Sequence, residues 1–108
     1  MNLPTEIFGS VVVVHAPEEL GGEQADSFET CIGRVERNNV VLDLDATETL
    51  DSAGLIALLN AQDKFRELDG DLKIATANAT NRKILEITRL DQQLDVFDSV
   101  LDAVKAYQ

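Results

Sequence analysis

The sequence predicts an α/β domain built on a largely parallel or mixed sheet. Three observations carry that prediction. Short apolar, β-branched runs recur, as in "VVVV" at 11–14 and "NVVLDLDA" at 39–46. Stretches with helical spacing of apolar residues separate them. The strand–helix order repeats about four times, the pattern of helices packed on a sheet rather than of an all-β or all-α domain.

The elements follow in order. "EIFGSVVVVHA" (6–16) reads as one strand, with Gly9 and Ser10 early enough to mark a turn or bulge. "PEELGG" (17–22) reads as a connection with room for a short edge strand. From Glu23 to Arg37, Ala25, Phe28, Ile32 and Val35 form a helical stripe, closed by "RNN" at 37–39. The second strand, 39–46, ends in alternating acids, Asp43 and Asp45. From Ala53 onward, Leu55, Leu58, Leu59, Gln62 and Phe65 repeat at helical spacing, and "DGD" at 69–71 ends the helix, with Gly70 suited to a left-handed terminus. "LKIAT" (72–76) is a strand, 78–90 a helix bearing Ile84, Leu85, Ile87 and Leu90, and "LDVFD" (94–98) the last strand. Ser99 can cap a final helix carrying Val100, Val104 and Tyr107. On pattern alone, flavodoxin-like, receiver-like and thioredoxin-like arrangements remain open.

Composition narrows the function. With 108 residues, 44% of them hydrophobic, the chain suits one domain spanning 1–108 and is too apolar for a disordered one. Twenty acids against nine bases give a net charge of −11. That argues against nucleic acid and against anionic membranes, both of which need clustered Lys and Arg, and favours a partner with a basic surface. No apolar run approaches the roughly 20 residues of a membrane span, so no membrane insertion is expected. The start, "MNLPTEIFGS", lacks the layout of a signal peptide, and the single Cys31 excludes an intrachain disulfide; a cytoplasmic location is expected.

The stretch "ATETLDSAGLIALLNAQ" (46–62) concentrates the functional question. Either Asp51 or Ser52 sits where a helix begins, and a side-chain oxygen there can satisfy an orphan backbone N–H. Gly54 in the first turn costs helix propensity, which a close approach by another surface would explain. The strand–loop–helix order also puts Ser52 at the carboxyl edge of the sheet, where α/β domains build their sites. A helix N-terminus tolerates a phosphoserine, which adds about −1.5 to −2 charges to an already acidic loop.

The segment "VVLDLDATETLDSAGLIALLNAQDKFRELDGDLKIATA" resembles the STAS domain family, as in bacterial anti-sigma factor antagonists. The shared features are the apolar strand ending in Asp, "DSAGL" at 51–55 and the following helix; "DGDLKIATAN" and "RLDQQLDVFDSVLDAV" extend the likeness across the chain. The resemblance implies a mixed sheet of four to five strands flanked by about four helices. It implies no enzymatic activity and no cofactor. It also implies that Ser52 is phosphorylated by an ATP-dependent serine kinase that is itself the anti-sigma factor. The unphosphorylated antagonist binds that kinase and frees the sigma factor, and a PP2C-type phosphatase resets the switch. Asp51, Ala53, Gly54, Leu55 and Ile56 are then the expected partner-binding residues. Three positions depart from the family: Gly21 stands where Asp is common, Ala53 where a second serine often follows, and Thr49 where an apolar residue is common, which predicts a more exposed loop. An unphosphorylated STAS scaffold in a signalling or lipid-transport complex, and a small nucleotide-binding or enzymatic domain, are the competing readings.

Other residues carry less. Cys31, beside Ile32, reads as a half-buried inert thiol, and His15, the sole histidine, as structural or surface. No metal site is expected from one His and one Cys. Asp43, Asp45 and Asp51 could form a magnesium pocket, but the acid pair after the first strand and the late lysine of receivers are missing. Arg82, Lys83 and Arg89 form a small basic face, and no glycine-rich phosphate loop is present.

Overall fold

The valines at 11–14 are buried on both faces of a sheet, which is why they form an unbroken apolar run rather than an alternating one. The computed structural model covers all 108 residues, Met1–Gln108. Its elements are β1 (Thr5–Phe8), β2 (Val11–His15), β3 (Glu19–Leu20), α1 (Gln24–Ile32), β4 (Asn39–Asp43), β5 (Thr49–Leu50), α2 (Ser52–Glu67), β6 (Asp71–Ala75), α3 (Ala79–Ile87), β7 (Asp95–Phe97) and α4 (Val100–Lys105), with a single 3-10 turn at Leu90–Gln92. The main sheet has five strands in the order β1-β2-β4-β6-β7. The β1–β2 pair is antiparallel and the other three pairs are parallel, so the sheet is mixed, as expected.

Alternate residues of each strand supply two cores. Val12, Val14, Val40, Leu42, Leu72 and Ile74 pack with Phe28 and Ile32 of α1, Leu58 and Phe65 of α2, and Leu85 of α3. Val11, Val13, Val41 and Ala75 point the other way, onto Ala103 and Val104 of α4.

Four expectations are corrected. The single strand expected over 6–16 is two strands of a hairpin; the turn or bulge expected at Gly9 and Ser10 is the turn that reverses the chain, with Gly9 at φ +62°. The helix expected to Arg37 stops at Ile32, and Val35 reaches the core from the loop beyond it. The left-handed residue after α2 is Asp69 (φ 64°), not Gly70. Gly70 is needed because its bare Cα lies against the Asn38 carbonyl, where a side chain would collide. The last helix turns expected at 88–90 are broken by Arg89, left-handed at φ 62°, before the 3-10 turn. Finally, β3 pairs in parallel with β5 in a separate two-stranded sheet, a pairing that local pattern did not show.

Candidate functional site

The loop from β4 to α2 is fastened at several points. Leu44 and Thr47 are buried. The buried Asn81 amide of α3 donates to the Leu44 carbonyl at 3.1 Å and the Thr47 carbonyl at 2.9 Å. Thr47 Oγ1 donates to the Pro17 carbonyl at 2.8 Å. The Glu48 and Thr49 N–H groups both donate to the Glu18 carbonyl, at 2.8 and 3.1 Å. Leu20 and Leu50 then pair across β3 and β5. Thr49 is exposed, as its polarity predicts, but the loop that carries it is anchored.

Asp51 is the N-cap of α2. Its backbone is extended and its Oδ1 accepts from the Gly54 N–H at 3.0 Å. Its Oδ2 accepts from the Gly22 N–H at 3.0 Å, so one carboxylate joins the start of α2 to the turn before α1. Two glycines make room for this. Any side chain at Gly21 would occupy the space of the Asp51 carboxylate, and Gly22 sits at φ +52°. Gly21 stands out in the sequence only as a departure from the family, and Gly22 and Leu20 carry no local signal beyond the "GG" at 21–22, because the carboxylate that Gly22 binds lies 29 residues away.

Ser52 follows as the first residue of α2. Because Asp51 fills the capping role, the Ser52 hydroxyl is exposed and makes no hydrogen bond within the chain. Ile56 lies one turn along the same face, 57% exposed. Ala53 and Leu55 are half-buried on either side. Gly54 is buried, and the surface that approaches it is internal: a Cβ there would strike the Leu20 carbonyl of β3 and stand 3.2 Å from the Leu50 side chain. The expectation that Gly54 opens the helix to an outside partner is therefore corrected.

The surroundings of Ser52 are acidic. Glu18 and Glu19 at β3, Glu48 before β5, and Asp51 are all exposed. The three aspartates considered as a magnesium pocket are engaged separately. Asp43 holds His15 Nδ1 at 2.8 Å and accepts from the Asp45 N–H, Asp45 accepts from the Ala77 N–H at 2.7 Å, and Asp51 is the cap. No three His, Cys, Asp or Glu side chains are grouped to hold a metal ion. His15 Nε2 also contacts Glu6 at 2.7 Å, so the lone histidine bridges two acids. Arg82 of the basic face pairs with Asp98. Cys31 is half-buried on α1. No helix is long and apolar enough to cross a membrane.

The model of the STAS domain family matches residues 2–103, which span the mixed sheet, the anchored loop and the capped helix. The chain belongs to the STAS domain family. This STAS domain is 25% identical over 109 aligned positions to a Thermotoga neapolitana protein whose name describes it as an anti-sigma factor antagonist (TM1081) homologue, covering 97% of this chain and 96% of the relative. It superimposes on the crystal structure of an anti-sigma factor antagonist from Mycobacterium paratuberculosis with a TM-score of 0.85 and 27% identity, over 96% of this chain and 91% of the other. The phosphorylated form of the Bacillus cell fate determinant SpoIIAA shares the fold, with a TM-score of 0.68 at 15% identity, over 98% and 99% of the two chains.

Proposed function

We propose that this STAS domain is an anti-sigma factor antagonist working by partner switching, with Ser52 as the switch. The observation that carries the reading is the division of labour between adjacent residues. Asp51 caps α2, so the Ser52 hydroxyl has no structural duty and is open to a kinase. In the unmodified state the start of α2 docks on an anti-sigma factor that is also a serine kinase, and the sigma factor is released. Ser52 and Ile56 supply the exposed contacts, Ala53 and Leu55 the flanks. Asp51, through its bonds to Gly54 and Gly22, and the buried Gly54, against the Leu20 carbonyl, hold that surface in place.

Phosphorylation then works without any change of fold. The helix start accepts the phosphate. The partner does not, because the phosphate must be desolvated against it. A hundredfold loss of affinity needs only about 2.8 kcal/mol, well within that penalty. A PP2C-type phosphatase reverses the step. The neighbouring acids Glu18, Glu19, Glu48 and Asp51 favour a basic docking surface on the partner.

The test is intact-mass spectrometry of the protein from its native host in growth and in stress, with fragmentation to place any phosphate. Condition-dependent occupancy at Ser52 supports the switch. An unmodified Ser52 under every condition sinks it in favour of a scaffold. In parallel, Ser52→Asp is expected to bind the purified kinase about a hundredfold more weakly than Ser52→Ala; equal affinities would reject the mechanism.

A further inference from the structure

The outer edge of the main sheet is open and has a built groove beside it. Strand β1 pairs only with β2, and all four of its residues are exposed. The His15 N–H donates to the Pro4 carbonyl, which sets the phase of the antiparallel pair. Glu6–Val13 and Phe8–Val11 are then the bonded pairs, and the N–H and C=O groups of Thr5 and Ile7 point away from the sheet. Unpaired edge groups of this kind are a template for an added strand.

Side chains beside that edge are specific in kind and position. Thr5 and Ile7 share one face, Ile7 being 61% exposed, and together with Val12 and Val35 they line a shallow groove against the end of α1. Arg34 and Arg37 line the same groove. Arg34 also borders the hollow at the Thr5 end, while Arg37 Nε donates to the Gly9 carbonyl at 3.3 Å, at the far end of β1. Ile7 therefore lies between two guanidinium groups. Neither pairs with a carboxylate, so both guanidinium groups are free for a partner; Lys64, Lys83, Arg89 and Lys105 are likewise unpaired but do not line this groove, and Arg66, Lys73 and Arg82 are paired. In a chain of net charge −11, this is a local reversal of sign beside a free strand edge. Glu36 is the one carboxylate on the groove. The other face of β1 carries Glu6 and Phe8, where a further acid would be repelled.

We infer that β1 takes an extended acidic peptide segment of a protein partner as a sixth strand. Main-chain hydrogen bonds form to Thr5 and Ile7. One apolar side chain packs on Ile7 and Val35, and acidic side chains two residues before and after it meet Arg34 and Arg37. Strand periodicity sets that pattern: acid, neutral, apolar, neutral, acid. The site is independent of Ser52.

The probe is a blocked heptapeptide, Thr-Glu-Thr-Val-Thr-Glu-Thr, titrated into the isotopically labelled full chain and followed by amide NMR. Saturable shifts at Thr5 and Ile7, with Arg34 and Val35, are expected. Replacing both peptide glutamates by lysine, or making R34E/R37E, should weaken binding by about tenfold or more. Ile7→Pro removes one outward donor and should do the same; the double arginine variant, which touches no core residue, covers the case in which the proline variant fails to fold. No shift at Thr5 and Ile7, or equal binding of the lysine peptide, overturns the proposal. Concentration-dependent sedimentation with broadening of the same amides before peptide is added would also overturn it, assigning the edge to a second copy of the chain.

Discussion

At the residue scale, Asp51 and Ser52 illustrate how two neighbouring cap-type side chains acquire different tasks. On general capping preferences Asn and Asp are equivalent. Here they should not be, because both Asp51 oxygens accept, one from Gly54 and one from Gly22. Asp51→Asn would set an NH2 against one of those donors, whereas Asp51→Ala loses both bonds. Urea denaturation should show Asp51→Ala destabilised by about 1–2 kcal/mol. Asp51→Asn should be measurably less stable than wild type; full stability would mean that the Gly22 bond contributes nothing. Ser52→Ala should stay within about 0.5 kcal/mol of wild type, since no bond is lost. Gly54→Ala should destabilise despite the roughly 1 kcal/mol that helix propensity gives alanine, because the new methyl meets the Leu20 carbonyl.

At the element scale, two contacts hold the ends of the chain to the sheet. His15 on β2 joins Glu6 of β1 to Asp43 of β4. Partial burial pulls its pKa down, but the hydrogen bonds and charges of Glu6 and Asp43 outweigh that, and the net shift is upward from 6.5. A raised folded-state pKa contributes stability fully present below the unfolded value and lost as pH rises through the folded one. The stability gap between wild type and His15→Gln should therefore be larger at pH 5.5–6 than at pH 8.5, read from urea midpoints. A gap independent of pH would show the bridge to be neutral. At the other end, the Tyr107 hydroxyl lies 2.7 Å from the Val40 carbonyl and 2.8 Å from the Asp71 carbonyl, beneath Lys73 Nζ at 4.8 Å from the ring centroid. Burial foremost, with the charge of Asp71, pushes its pKa well above the usual tyrosine range. Tyr107→Phe should cost about 1–2 kcal/mol in thermal unfolding by leaving the carbonyls short of a donor.

At the scale of the whole molecule, charge governs encounter rather than fold. With a net charge of −11 and acids grouped near Ser52, association with a basic partner should be fast at low salt. Raising sodium chloride from 50 to 500 mM should lower the association rate far more than it raises dissociation, measured by stopped flow. A salt-independent rate would remove electrostatic steering from the account.

Whereas the mixed sheet came from the resemblance to the STAS family, local pattern was enough for the α/β class, the place of most helices and strands, and the placing of Ser52 at a helix start. Those features rest on periodicity and on turn and cap chemistry, which act over a few residues. It could not show whether Asp51 or Ser52 caps α2, because either oxygen can reach the same N–H groups. It could not show the β3–β5 pair or the reason for Gly21, Gly54 and Gly70. Each of these depends on a partner distant in sequence: Asp51 for Gly21, Leu20 for Gly54, Asn38 for Gly70. Only the packed chain brings those atoms within van der Waals reach, and so only the tertiary structure decided that the Asp51 oxygens are bonded to Gly54 and Gly22 while the Ser52 hydroxyl is left free.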